Sequence, residues 1–363
     1  MDPDIRSSQA PPKFPPLKLP AMFARYEEIV SQQLYEAVPQ FEFSKLSSLM
    51  RYHLGWTDRD GNVATTTTSQ GKALRPTLCV FMCQASGGDP KTALPSAAAL
   101  ELIHNFSLLH DDIQDQGYER RHQPTVWSIW GTSKALIAGD AMHSVGDLSA
   151  LNSVFFGVSP KLAIQISTIL TESYLEMIEG QCRDLVFEKT TDIKVDEYLG
   201  MIALKTGALI RSSVLIGSLV AKEDSKHNKA VVDFGNYIGR AFQIRDDFLG
   251  IWGDEATTGK TASGDIEQRK KSLPIVVAFE NASGPAADEL MRIYSPDNRE
   301  ELSAYDIEII RTVLDEVKAA EECQRLTEQS SEHALSALAG VNFSSWALSE
   351  AKDLVNFLSS REF

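Results

Sequence analysis

Residues 104 to 127 read HNFSLLHDDIQDQGYERRHQPTVW, and three carboxylates, Asp111, Asp112 and Asp115, stand at the centre of the stretch. On a helix, about 100° per residue puts Asp111 and Asp115 one turn apart on one face, with Asp112 at its flank. Like charges this close raise one another's pKa and take up protons unless a divalent cation holds them ionised. Oxygen ligands without His or Cys suit Mg²⁺, which keeps several waters and shares its coordination with phosphate groups. Arg120 and Arg121 follow almost at once and offer an anion a bidentate donor fork. Alone, such a run is more often a solvated acidic helix end beside an ion pair.

A second copy of the arrangement changes the balance. Residues 239 to 254, GRAFQIRDDFLGIWGD, set Asp246 and Asp247 on an apolar helix, with Gln243 one turn earlier and Asp254 two turns later. Acids among Phe242, Ile244, Phe248, Leu249 and Ile251 are expected to be buried, and buried acids need a partner or a metal. Two acid clusters on separate helices, each followed by basic residues, make a coherent diphosphate site.

With these residues in place the chain resembles the polyprenyl synthetase family of head-to-tail prenyltransferases. The resemblance covers roughly residues 70 to 275 in detail. DDIQD at 111 to 115, followed by the Arg pair and PTVW, is similar to the family's first aspartate-rich motif; Gln243 and DDFLGIWGD are similar to its second. Gly250 stands where the simplest DDxxD form has its last Asp, which leaves Asp254 or a water to complete that cation's ligands.

In the chain as a whole, 43% of 363 residues are hydrophobic, ample for a large core. Helical periodicity runs on without a shift in composition, so one domain is expected over residues 21 to 363, behind an extended or disordered proline-rich arm at 1 to 20 that includes PPKFPPLKLP. No strand alternation is sustained, and an all-α bundle around a central cavity is expected, with the acid clusters facing each other across its mouth. The net charge of −15 argues against nucleic acid as a partner. Cys79, Cys83, Cys182 and Cys323 lack metal-site spacing and read as reduced core residues, which fits a cytoplasmic protein. No apolar run long enough for a membrane span is evident.

The stretch GKALRPTLCVFMCQASGG from Gly71 places Lys72 and Arg75 three apart at the head of an apolar helix, expected to point the same way. His104 lies two turns before Asp111 on almost the same face. Asp140 and His143 draw notice as a metal pair, but no third ligand follows, and core hydrogen bonding is the expected role. Lys205 and Thr206 interrupt the apolar LKTGALI, and a Lys there must snorkel or pair. GDEATTGKTASGDIEQRKKSLP, from 253 to 274, reads as a lid carrying Lys260, Lys270 and Lys271.

The resemblance supplies roles for these residues. It implies that Lys72, Arg75, His104 and Arg121 hold isopentenyl diphosphate, and that Arg120, Lys205, Thr206, Gln243, Lys260 and Lys270 serve the allylic diphosphate, with Gly180 and Gln181 in support. Asp111, Asp112, Asp115 and Asp246, beside Asp247, are implied to carry Mg²⁺, three ions per site, so that the allylic C–O bond ionises and the departed diphosphate takes the proton. A bulky Phe106 five residues before Asp111 is implied to limit the growing tail, and a small Ser107 to leave room, with geranylgeranyl diphosphate expected first and farnesyl diphosphate second. A homodimer is expected. Two other readings stand beside this one. A terpene cyclase on the same scaffold would not need Lys72, Arg75, His104 and Arg121, and a non-catalytic partner subunit would not need both acid clusters.

Overall fold

Residues 19–39, 45–64, 71, 73–223, 227–253, 264–295, 298 and 301–360 are described by the structure, a computed structural model. Lys72, Asp254 and Lys260 lie outside the described residues, as does most of the N-terminal arm.

The first helix, α1 (Ala21–Ala37), buries Met22, Phe23, Tyr26, Val30 and Leu34 at three- and four-residue steps and stops just before Pro39, which disfavours helix in the residue ahead of it. After α2 (Lys45–His53) come α3 (Leu74–Ala85) and α4 (Leu94–Gln114), whose start is set by a 3₁₀ turn at Pro90–Ala93 and by Pro95 in its first turn. A short α5 (Val126–Trp130) leads to α6 (Thr132–Leu151), and Ser159 caps α7 (Pro160–Phe187) by accepting a hydrogen bond from the Leu162 amide at 3.1 Å. α8 (Val195–Ile202) runs through a π-helical turn, Ala203–Gly207, into α9 (Ala208–Ala221), and α10 (Asn228–Trp252) follows. The C-terminal part consists of α11 (Gly264–Glu267), α12 (Leu273–Asn281), α13 (Pro285–Ile293), α14 (Ala304–Glu316), α15 (Ala319–Leu338) and α16 (Ser345–Ser360).

Helices α3, α4, α6, α7, α9 and α10 pack on one another as the inner bundle, and α15 lies along α10. The core divides into two apolar clusters, and α10 spans both: Ile238 belongs to the first, Ile244 and Ile251 to the second. The expected all-α fold is what the chain adopts, with small local exceptions among the described residues, an isolated bridge between Thr57 and Val63 and a short hairpin. Glu119–Arg120 (β1) and Gln123–Pro124 (β2) pair antiparallel across a two-residue turn in which Arg121 and His122 have φ of 51° and 60°. Two positive φ values identify a type I′ turn, whose twist matches a hairpin. Two-residue strands carry no alternation for a sequence reading to detect.

Two further expectations are corrected. The continuous helical stretch Val195–Ala221, 27 residues, is long and apolar enough to cross a membrane by length and composition. Lys205 and Arg211 had masked it in the sequence, and its most apolar window is 67% buried inside the protein, as the core of the bundle. Cys182 is exposed, whereas Cys79, Cys83 and Cys323 are buried free thiols.

Candidate active site

The end of α4 sorts its three acids by depth. Asp112 is buried, Asp111 half-buried and Asp115 exposed. Asp112 accepts a 2.8 Å charge-assisted bond from Arg120 Nε, while its other oxygen, Oδ2, is enclosed without a hydrogen-bond partner among the described residues. Asp111 lies among the charges of Lys205, Asp115, Arg120 and Asp112. Burial pushes its carboxyl up to about 6; the Lys205 ammonium opposes this and the Asp115 carboxylate adds to it. Asp112 was expected among the cation ligands, yet its position makes it first the anchor of the Arg120 hairpin.

That hairpin separates two adjacent arginines. Arg120 turns to Asp112. Arg121 crosses Gly71, where a Cβ would sit 2.6 Å from the guanidinium Nη2, so only glycine lets the arginine lie there. Arg75 is buried nearby, drawn down to about 10 by burial, with Glu101 raising it and Arg121 lowering it. Burial, followed by the charges of Arg75, Arg121 and Arg120, keeps His104 well below its ordinary value, hence neutral. Arg75, His104 and Arg121 therefore come together as expected. Lys72 lies outside the described residues; Ala73 precedes α3 in a left-handed conformation (φ 47°, ψ 44°). His53 on α2 also belongs to this group and was not anticipated. Burial first, then Arg121 and Arg120, bring it down to about 3.

The opposite wall is built by α7, the π-turn and α10. At Gly180 a Cβ would lie 2.3 Å from the Lys205 amide nitrogen, so the π-turn can reach α7 only where the side chain is a hydrogen. The π-turn carries Lys205 Nζ to Asp184 Oδ2 at 2.5 Å. Thr206 Oγ1 donates to Gln243 Oε1 at 2.6 Å, and Gln243 Nε2 donates in turn to Asp247 Oδ1 at 2.9 Å. Gln181 Nε2 donates to Gln114 Oε1 at 2.9 Å and so links α7 to the end of α4.

Both acids of the second cluster were expected to be buried, but only Asp247 is; Asp246 is exposed. Asp247 also receives Tyr198 Oη at 2.6 Å and the Leu273 amide at 3.3 Å, three donors in all with Gln243, and the Lys270 charge acts on it as well. Burial still pushes its carboxyl up to about 7. Its partners are protein groups, and its position is that of a residue holding α10, α8 and α12 together, while Asp246 is exposed and acts on the Lys270 charge.

Gly250 has a different complement from the one expected. A Cβ there would be 2.2 Å from Asp265 Oδ2, so the carboxylate of Asp265, buried on α11, fills the space beside Gly250. No sequence pattern linked Gly250 with Asp265. Lys270 is solvent-accessible although protein surrounds it on most sides, as suits a group projecting into a cleft. Burial alone would lower its pKa; the carboxylates of Asp265, Asp247, Asp246 and Asp184 outweigh that and raise it.

Phe106 is 7% exposed, with its ring 4.9 Å from that of His143 and 5.6 Å from that of His110. The Ser107 hydroxyl donates back to the His104 carbonyl at 2.8 Å. Asp140 is exposed and His143 is an aromatic neighbour of Phe106 and Tyr174, so the expected core hydrogen bonding of that pair is not found. Among the described residues no three His, Cys, Asp or Glu side chains converge as a ready-made metal cage.

An α-helical bundle with acidic groups on two helices and cationic groups between and behind them defines a protein that handles multiply charged anions. The sequence matches the family model described as polyprenyl synthetase over residues 60–310, and the chain belongs to that family of prenyl-transferring enzymes. It is 41% identical over 261 residues to a (2E,6E)-farnesyl diphosphate synthase of Mycobacterium tuberculosis, covering 72% of this chain and 70% of the relative. It is 37% identical over 294 residues to a geranylgeranyl diphosphate synthase of the same species, covering 81% of each. The crystal structure of a polyprenyl synthetase from Streptomyces coelicolor A3(2) superposes with a TM-score of 0.85 at 32% identity, covering 93% of this chain and 98% of that one. A geranylgeranyl pyrophosphate synthetase from Pyrococcus horikoshii superposes at 0.83 with 30% identity, covering 94% and 98%.

Proposed function

We propose that this chain condenses isopentenyl diphosphate with an allylic diphosphate, head to tail, to make a short-chain prenyl diphosphate, geranylgeranyl diphosphate in the first place and farnesyl diphosphate in the second. The observation that carries the reading is the pairing of two charge environments. On one side Asp111, Asp115 and Asp246 face a cleft shared with Lys205 and Lys270; on the other Arg75, His104 and Arg121 gather behind the hairpin. One anion with associated cations suits the first, and a metal-free anion suits the second. A terpene cyclase has no use for the second.

The acidic side fits Mg²⁺. Asp111 is half-buried beside the Asp115 carboxylate, with the Lys205 ammonium as its strongest opposing charge, and the donor set is all oxygen. The absence of a complete protein cage among the described residues suits a cation that takes its remaining ligands from diphosphate and water. Asp111, Asp115 and Asp246 would hold the ions, three per site, with Asp112 and Asp247 as positioning residues. When bound, Mg²⁺ supplies neutralisation of the leaving diphosphate. Lys205 and Lys270 share the charge on that diphosphate, and Arg121 with Arg75 fixes the diphosphate of the second substrate so that its double bond meets the allylic carbon. Apolar walls including Phe106 keep water from the carbocation and limit the length of the chain.

Residues 21–363 act as a single catalytic domain, and the chain works as a cytoplasmic homodimer. Leu148, Leu151, Phe155, Ile164, Leu175 and Ile178 are exposed on the outer face of α6, α7 and the turn between them. Ile164, Thr168, Thr171, Leu175 and Ile178 follow one another at three- and four-residue steps, and a groove of ≈ 330 Å³ lined by Leu151, Ile164 and Thr168 lies on the same face. A second copy would cover such a patch.

The test is product analysis. Purified protein is incubated with Mg²⁺, labelled isopentenyl diphosphate and each allylic starter in turn, and the products are dephosphorylated and separated by chain length. A C20 product is expected. Absence of condensation with any starter overturns the reading, and hydrocarbon release from geranylgeranyl diphosphate without consumption of isopentenyl diphosphate favours the cyclase.

A further inference from the structure

Lys270 and Lys271 are neighbours in sequence with opposite surroundings. Lys270 is exposed and feels the carboxylates of Asp265, Asp247, Asp246 and Asp184. Lys271 is 6% exposed, and its Nζ donates to the carbonyl oxygens of Phe187 at 3.0 Å, Glu188 at 2.8 Å and Thr190 at 2.6 Å. An ammonium has three N–H donors, and here three carbonyls use them, so none remains for a substrate. Those carbonyls belong to the C-terminal end of α7, where helix groups lack intrahelical partners and the dipole favours a cation.

The connected parts matter for what this clamp can do. α7 carries Asp184, the partner of Lys205, and Gly180, against which the π-turn sits. Residues 268–272, a strap between α11 and α12, are held on either side of Lys271: Arg269 Nε donates to the Ile293 carbonyl at 3.0 Å, and the Leu273 amide donates to Asp247. Lys271 ties the strap to the end of α7 through these three hydrogen bonds. Without it, the wall bearing Lys205 and the strap bearing Lys270 lose a direct tie.

We propose that Lys271 is a positioning residue that fixes Lys270 relative to Lys205, so that two ammonium groups from separate elements meet one diphosphate at a set spacing. The inference rests on the function proposed above, because it takes Lys270 to be a diphosphate ligand. Its effect runs through Lys270 alone.

The experiment is a double-mutant cycle on Lys270→Met and Lys271→Met, read by calorimetric binding of inorganic pyrophosphate with Mg²⁺ and by kcat for condensation. Each single variant is expected to weaken pyrophosphate binding about tenfold, and the double variant to be no weaker than Lys270→Met by more than about twofold, because coupled residues do not add. Losses that multiply in the double variant, or wild-type binding in Lys271→Met, overturn the positioning role. Lys271→Gln, which keeps two N–H donors, serves if the methionine variant fails to fold; it should bind pyrophosphate with intermediate affinity, and wild-type affinity there overturns the role equally. Because pyrophosphate binding is read without turnover, a wild type that condenses nothing refutes the proposed function while leaving the coupling of the two lysines to stand or fall by itself.

Discussion

Burial holds the Asp111 carboxyl at about 6 in the cation-free protein, above its ordinary 3.8. A folded-state pKa raised in this way makes a contribution to stability that is complete below pH 3.8 and is lost as the pH rises through about 6. At neutral pH the ionised Asp111 is therefore a cost, of order 1–3 kcal/mol. Asp111→Asn should raise the melting temperature of chelator-treated protein by roughly 2–4 °C at pH 7 and leave it unchanged near pH 4. The same variant should lose about a hundredfold or more in kcat with Mg²⁺ present. Thermal unfolding at the two pH values and a condensation assay check both halves; equal melting temperatures at pH 7 would mean that Asp111 is better solvated than its surroundings imply. Phe106→Ala should lengthen the product by one or more C5 units, read by chromatography, and an unchanged product profile would place the stop on another side chain. At this scale the sequence showed which acids cluster but not which oxygen faces where. Asp246 and Asp247 are adjacent letters in an apolar context, and only the positions of Tyr198 and Leu273, fixed by distant helices, decide that Asp247 is the enclosed one.

The π-turn between α8 and α9 and the Arg120–Arg121 hairpin are the elements that aim the cations, and they were the least legible in the sequence. A π-turn differs from an α-helix by one residue in the hydrogen-bond ladder, and LKTGALI satisfies either. What does appear in the sequence is the pair of glycines that permits the geometry, Gly180 opposite Lys205 and Gly71 beneath Arg121, although the pairing itself does not. Gly180→Ala tests the first. Its Cβ would be 2.3 Å from the Lys205 nitrogen and 2.6 Å from its Cα, both backbone atoms that cannot step aside as a flexible side chain would. Separation of α7 from the π-turn should cost about 1–3 kcal/mol, the usual range for overpacking. Lys205 moves with the turn, so the KM for the allylic substrate should rise at least about tenfold while that for isopentenyl diphosphate, held by Arg75 and Arg121, changes little. Urea unfolding and separate substrate titrations read the two effects. An equal rise in both KM values would show that the damage spreads beyond the π-turn.

At the scale of the molecule, helix periodicity and the two aspartate clusters were enough to anticipate an all-α bundle, because long amphipathic helices state their class in their own spacing. The outer face of α6 and α7 was not anticipated, since a stripe of apolar residues at helical steps reads as core until the packing shows that none of the described residues covers it. Phe155 is 82% and Ile164 65% exposed, and Leu175 and Ile178 stand at 56% and 42% on the same helix face. Water in contact with that much contiguous apolar surface favours association with a matching surface, and a closed twofold dimer lets one patch serve both partners. The wild-type protein should therefore sediment at twice the mass of one chain. Leu175→Glu combined with Ile178→Glu places two carboxylates from each subunit in the centre of the contact, where burying an unpaired charge is strongly unfavourable. The double variant should sediment as a monomer at micromolar concentration while keeping its far-ultraviolet circular dichroism, because neither side chain contributes to the core of its own subunit. A variant that remains dimeric would move the interface to another face of the bundle, and a wild type that is monomeric at every concentration tested would leave the patch to a different partner.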